Sequence, residues 1–240
     1  MRVLLTLSNL RAFQADLVPQ LISNFETLFS VTLTEEAKTI SDVLGQIDDR
    51  LFQSYTEPVI DVLKHTIYEG ITSPEWDPAN ERPSNVQPYV YNALLTLVLV
   101  HTEISTTVPS SSSADFSRAA QTLASSLLTT VLTYVVTQVF SSLLSAFSAR
   151  SRYSLNALVQ ATLDTEFIGQ TMLQYTSDEA SAIQSRIYVE LDRRTTNEAR
   201  ARLQVELGEM RGVLKALRER TSGEFACFKK PRSGTRPNAI

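Results

Sequence analysis

Three observations predict an all-α fold of antiparallel helical bundles. Seven glycines in 240 residues are under half the usual share of roughly 7%, too few for the positive-φ turns of an all-β chain or for glycine-rich nucleotide loops. Apolar residues recur at steps of three and four along most of the chain, which is helical periodicity. The intervals between these stretches are rich in Pro or Ser, which are the usual helix punctuation. At about 150 residues per domain the length allows one large domain or two modest ones, either of which can bury a core. Hydrophobic residues at 43% and charged residues at 20% are ordinary globular values, so general disorder is excluded.

The first helix runs from Val3 to about Phe29, with Leu4, Leu7, Leu10, Phe13, Leu17, Leu21, Phe25 and Phe29 on one stripe. Pro19 interrupts it, and a kink or break near Val18 is expected. The next starts around Thr34, where Glu35 and Glu36 complement the positive end of the dipole, and continues through Ile40, Val43, Leu44, Ile47, Leu51 and Phe52. Pro58 marks a fresh start, and Val59, Leu63 and Ile67 carry the period to Gly70, a candidate C-cap.

Residues 72–88 contain Pro74, Pro78, Pro83 and Pro88, a spacing that no regular helix or central strand survives. A second break, Val108 to Asp115, is short, polar and Ser-rich. Between them PYVYNALLTLVLVHTEIS is apolar enough to be buried as helix or strand, and its length favours helix.

Ala119 to Ala149 has no charge over 31 positions and must be weighed as a membrane span. Thirteen of those positions are Ser, Thr or Gln, and the longest run free of them is Tyr134 to Val136, whereas a span needs about 20 predominantly apolar residues. Apolar pairs recur every four residues, at Leu127/Leu128, Val131/Leu132, Val135/Val136, Val139/Phe140 and Leu143/Leu144. A four-residue repeat drifts by about 40° per step on a 3.6-residue helix, so its apolar surface winds round the cylinder and needs neighbours on several sides. This stretch reads as the centre of a bundle. Its β-branched residues suit a strand, but they show no period-2 alternation.

Three more helices follow. Leu155, Leu158, Val159, Thr162, Leu163, Phe167 and Met172 mark one. Thr176 with Glu179, and Thr195 with Glu198, form capping-box patterns ahead of the other two. The last helix carries Leu203, Leu207, Met210, Leu214 and Leu217 at spacings of four, three, four and three, the seam of a packed hairpin or short coiled coil, with charge on its other faces. The expected organisation is a helical segment over 1–71, a Pro-rich loop over 72–88, a helical bundle over 89–224, and a basic, disordered tail over 225–240.

The net charge of −4 hides an asymmetry. From Ala199 to Ile240 there are ten Lys/Arg against four Glu, while the rest of the chain has 12 against 22 acidic residues. A basic end of this kind suits a solvated helix face, an acidic protein surface or anionic lipid. The single cysteine, Cys227, cannot form an intramolecular disulfide, and MRVLLTLSNLRAF has no cleavable signal pattern, so a reducing cytosolic setting is expected.

Chemistry-bearing groups are sparse. His65 and His101 show no HExxH spacing, and there is no cysteine pair for a metal site. No GxSxG elbow and no GxxxxGK[ST] loop occurs. Cys227 lies near lysines that would lower its pKa, but it reads better as a packed or idle thiol. Asp48 and Asp49 diverge by about 100° on a helix and read as a solvated face. Gly208 and Gly212 match GxxxG with Glu209 and Arg211 between them, which rules out a membrane dimer and leaves close helix packing. No catalytic, cofactor-binding or metal-binding residue is assigned. An enzyme is not expected.

Four long blocks resemble a known family: Asp42 to Tyr55 (DVLGQIDDRLFQSY), Gln87 to His101 (QPYVYNALLTLVLVH), Arg152 to Thr171 (RYSLNALVQATLDTEFIGQT) and Arg200 to Lys230. They are similar to the C-terminal part of the fungal exocyst subunit Sec-five, also called exocyst complex component two. The resemblance implies stacked helical bundles forming part of an elongated rod, in a complex that tethers secretory vesicles to the plasma membrane before fusion in exocytosis. It further implies no catalysis, other exocyst subunits as partners, small GTPases as further candidates, and a cytoplasmic location peripheral to plasma-membrane sites of secretion. Family chains are several times longer. Their N-terminal assembly helices and the animal Ral-binding domain have no counterpart here, so the chain looks like a terminal segment or a truncated gene product. Partner contact is expected at Arg211, Lys215 and Arg218 on the last helix. The alternative is a peripheral lipid-binding adaptor using Lys229, Lys230 and Arg232, a weak anionic-membrane contact. No specific nucleic-acid binding is expected, because the positive surface is not dense enough.

Overall fold

The computed structural model describes residues 2–77, 82–107 and 116–229, with the side chains of 116–124 and of Gln204 left out. The fold is all-α: α1 (Arg2–Ala12), a π-turn (Phe13–Leu17), α2 (Val18–Phe29), α3 (Thr34–Thr72), α4 (Pro88–Thr107), α5 (Phe116–Ala149), α6 (Leu155–Thr171), α7 (Asp178–Arg193) and α8 (Asn197–Arg220). Short 3₁₀ turns lie at Pro74–Trp76, Leu173–Tyr175 and Ala226–Phe228. No strand occurs among the described residues. The Ser-rich Val108 to Asp115 break and the end of the chain from Lys230 lie outside them.

The irregularity expected near Val18 takes the form of a widened turn that does not end the helix: the turn before Pro19 becomes the π-turn Phe13–Leu17, and Val18 N–H bonds to the Phe13 carbonyl. A proline ring collides with the carbonyl four residues earlier, here Ala15, and the wider turn around Ala15 absorbs that clash. Pro58 does not start a new helix either, because it lies inside α3. Pro58 and Ser54 are both exposed, so the face that loses a helical hydrogen bond is the solvent face, while buried Thr56, Ile60, Leu63 and Ile67 hold the stripe in register.

The chain forms two compact units. The first comprises Met1–His65 with Leu99–Val139, and the second Thr66–Val98 with Phe140–Ile240. In the first unit Leu4, Leu7, Ile60, Leu63, Val100, Ile104 and the α5 residues Leu127, Val131, Leu132, Val135, Val136 and Val139 are buried. The second buries Ile67, Ile71, Trp76, Leu94, Leu97, Phe140, Leu143, Phe147 and most of α6. Eight of the ten residues in the four-residue pairs of α5 are therefore core, and Leu128 and Leu144 are half-buried. Ser125–Ala149 is long and apolar enough to cross a membrane, with mean hydropathy 1.6 in its best window, but half of that window is buried inside the protein.

Caps correct the sequence reading by one residue. Ser177 rather than Thr176 caps α7, accepting from Ala180 N, and Thr196 rather than Thr195 caps α8, accepting from Ala199 N. The hydroxyls of Thr176 and Thr195 instead donate back to the Met172 and Leu191 carbonyls. In the corrected frame position N3 is alanine, so no capping box closes.

Gly70 is not a C-cap, since α3 continues to Thr72. A Cβ there would overlap the Tyr89 side chain at its own Cβ, which has no freedom to swing away. Gly70 lets α3 and α4 approach closely in the second unit. Gly70→Ala is expected to destabilise the protein by about 1–3 kcal/mol through overpacking. Gly45→Ala, whose new Cβ meets nothing within 4 Å, is expected to stabilise it by about 0.5–1 kcal/mol. Urea denaturation of the two variants checks the opposite signs.

Candidate functional site

In the second unit, α6 supplies a wholly buried carboxylate that the sequence reading missed. Asp164 is 0% exposed. Its Oδ1 accepts from Gln87 N at 3.0 Å and Gln160 Nε2 at 2.8 Å, and its Oδ2 from the Tyr89 hydroxyl at 2.9 Å. Gln160 Nε2 also donates to the Asn85 carbonyl at 3.0 Å. Burial pushes the Asp164 carboxyl up to about 7, against the opposing pull of these donors, and drives the Tyr89 hydroxyl well above its ordinary value. The Trp76 Nε1 is buried beside this group without reaching hydrogen-bond geometry. No sequence motif marks Asp164. The one signal was a lone Asp amid an apolar helical run.

A second cluster braces the turn after α3. Trp76 is 2% exposed, packs against Phe147 and Tyr153 at ring centroids of 5.9 and 6.2 Å, and lies under the Arg150 guanidinium at 4.7 Å. Arg150 Nη1 donates to the Ile71 carbonyl at 2.9 Å. The arginine thus ends α3 and covers the indole at once, a cation–π contact strengthened by partial desolvation.

These clusters seat residues 82–91 against α6, and α8 grips the same stretch. Arg82 pairs with Glu206 and Glu209 of α8. Arg220 Nη2 reaches Asn85 Oδ1 and the Tyr91 hydroxyl, both at 3.3 Å. α8 packs along α6, burying Met210, Leu214 and Leu217, with Leu203 and Leu207 half-buried.

Arg211, Lys215 and Arg218 fall at i, i+4 and i+7, one helical stripe, and all three are exposed. Arg211 and Lys215 make no ion pair among the described residues, and Arg218 Nη1 donates to Gln170 Oε1 at 3.0 Å. Because Arg82 engages the two carboxylates midway along α8, this stripe keeps its positive charge. Beside its end, a cleft of about 580 Å³ is bordered by Gln170, Leu173, Arg218, Phe225, Phe228 and Lys229.

The proposed lipid contact divides. Lys229 is described and donates to the Ser222 carbonyl at 2.9 Å, whereas Lys230 and Arg232 lie outside the described residues. Phe225 and Phe228 are buried, so the first residues expected in the tail are folded onto the second unit.

The remaining candidates separate. Asp48 is not simply solvated, since it accepts both Arg11 Nε and Nη2, at 2.8 and 2.9 Å. The Cys227 thiol is half-buried and pushed up by burial, opposite to a reactive cysteine. Burial lowers the pKa of half-buried His101. A Cβ on Gly208 or Gly212 would meet nothing within 4 Å, so neither glycine serves close packing. Among the described residues no group of three or more His, Cys, Asp or Glu could hold a metal.

The family model for exocyst complex component Sec5 matches residues 1–228. No curated protein matches the chain, and no solved structure does.

Asp164 sets a pH dependence. Its folded pKa of about 7 exceeds the ordinary carboxylate value, so the folded state holds its proton more tightly. That contribution is fully present below about pH 4 and is lost as pH rises through about 7. Asn at this position keeps an acceptor for Gln87 and Gln160 and can donate to the Tyr89 oxygen, so Asp164→Asn is expected to flatten the decline of Tm between those limits. Asp164→Ala removes the acceptor of the Tyr89 hydroxyl and of Gln87 N–H, while Gln160 Nε2 keeps the Asn85 carbonyl, and is expected to cost about 2–4 kcal/mol. Thermal melts of both variants from pH 4 to 8 check the pair.

Proposed function

From the premise that the chain belongs to the exocyst component Sec5 family, whose model it matches over residues 1–228, we propose that it is a non-catalytic structural segment of the complex that tethers secretory vesicles to the plasma membrane in exocytosis. The family match carries the reading. The helical architecture supports it, because packed helices are stiff elements that hold surfaces at a distance and present their outer faces to partners. Other exocyst subunits are the partners, and its place is cytoplasmic, peripheral to plasma-membrane sites of secretion.

The contact surface in this reading is the α8 stripe of Arg211, Lys215 and Arg218. Its charge is supported by the engagement of Glu206 and Glu209 with Arg82, and its rigidity by the packing of α8 along α6. Rim cations of this kind govern association rate and salt dependence more than total affinity. Direct lipid binding is auxiliary at most. Each cation near an anionic surface contributes about 1 kcal/mol, and Lys229 is already bonded to a backbone carbonyl.

The triple variant Arg211→Glu, Lys215→Glu and Arg218→Glu is expected to weaken capture of exocyst subunits by about tenfold or more at moderate salt, with an unchanged circular-dichroism melt. Capture at wild-type level by the folded variant would remove the α8 stripe as the contact.

A further inference from the structure

We propose that the α2–α3 hairpin of the first unit docks an amphipathic helix from another protein, one whose apolar stripe is flanked by basic residues. The inference concerns a different surface from α8 and does not depend on the tethering reading.

The hairpin is well defined. Ser30 adopts the left-handed conformation with φ 53 and ends α2. Glu26 Oε1 accepts from Leu33 N at 2.7 Å and holds the turn into α3. The bidentate Arg11–Asp48 pair ties the returning helix to its antiparallel neighbour. Arg11 also lies over the Phe52 ring at 5.9 Å.

Its apolar surface is uncovered. α2 buries none of its 12 residues, although Leu21, Phe25 and Leu28, continued backwards by Leu17 at the end of the π-turn, form one stripe at steps of four, four and three. Leu28 is 78% exposed, Phe29 62% and Leu21 60%. On α3, Ile40, Val43 and Ile47 form a second exposed stripe at steps of three and four. Scattered exposed leucines are ordinary, but aligned stripes on both arms of one hairpin mark a surface built for contact. Leu17 to Leu28 spans about 16 Å at 1.5 Å per residue, three helical turns, which is length enough to meet the i, i+3, i+4 and i+7 anchors of an amphipathic helix.

Charge selects the occupant. Residues 11–50 carry seven carboxylates, Asp16, Glu26, Glu35, Glu36, Asp42, Asp48 and Asp49, against Arg11, Lys38 and Arg50, and with the Arg11–Asp48 pair set aside six carboxylates stand against two cations. An anionic membrane would be repelled by this negative excess. A second copy would set two acidic hairpins face to face, a like-charge juxtaposition that interfaces avoid. A helix with a leucine-type stripe and Lys or Arg along its edges satisfies both the apolar stripes and the negative excess.

The test uses the full chain and a fluorescent synthetic three-heptad helix with leucines in its stripe and lysines on both flanks, beside a twin with glutamates on the flanks. Anisotropy titration at moderate salt is expected to show the lysine peptide binding at least about tenfold more tightly than its twin. Leu21→Glu with Leu28→Glu is expected to weaken the lysine peptide by at least about tenfold, even though the substitution adds negative charge that would strengthen mere electrostatic adsorption. Circular dichroism should be unchanged, since both side chains are exposed. Equal binding of the two peptides, or binding indifferent to the double substitution, overturns the proposal. So does a wild-type dimer in sedimentation velocity that the double variant dissolves, or co-sedimentation with phosphatidylcholine/phosphatidylserine vesicles that it abolishes.

Discussion

A carboxylate with no exposure to water is tolerable only where donors replace the water it has lost. Asp164 meets that condition with a backbone amide and a phenol from Gln87 and Tyr89 and a side-chain amide from Gln160, one turn away on α6, and the seating of the start of α4 in the second unit follows from it. Gln87 and Tyr89 flank Pro88, the first residue of α4, so holding their donors places the start of α4 on α6. The connection from Arg82 to Gln87 has no regular hydrogen-bonding pattern of its own. It takes its position from Asp164, from Gln160, and from the arginines at either end of its contact with α8.

That arrangement explains how the described end of the proline-rich connection, from Arg82 to Pro88, is seated on the second unit. The prolines remove helix as an option, and the chain then meets side chains that satisfy its backbone. Trp76, held by Phe147, Tyr153 and Arg150, performs the same task where α3 ends. In the structural role proposed above, such joints keep packed helices in fixed register. The perturbed groups here have structural causes: Asp164 is shifted by burial, and Tyr89 by burial and the neighbouring carboxylate.

The two charged surfaces are complementary in kind. α8 offers an exposed cationic stripe on an element whose apolar side is buried against α6. The hairpin of α2 and α3 offers exposed apolar stripes on a stretch of chain with a negative excess. Two helices alone possess one mutual seam, so any apolar residue beyond it must find another partner or face water. This constraint, rather than any single contact, is why α2 stands uncovered while α6, surrounded by neighbours, buries most of its length.

The amino-acid sequence by itself determined the helices, because periodicity and the scarcity of glycine act locally, and it placed the charge asymmetry and the four-residue repeat that makes α5 a core helix. The family resemblance was likewise legible in long blocks of sequence. What only tertiary structure decided were the points where a local rule met a neighbour. Pro19 widened a turn rather than breaking it, Pro58 was carried within α3 by buried residues on both sides, and Gly70 answered to Tyr89 rather than to a helix end. The caps of α7 and α8 moved by one residue, since adjacent hydroxyls are equivalent in a pattern and are distinguished only by where the chain turns. Asp164 was illegible for the same reason: its three donors are separated from it by up to 77 residues, and a buried carboxylate is recognised by what surrounds it in space.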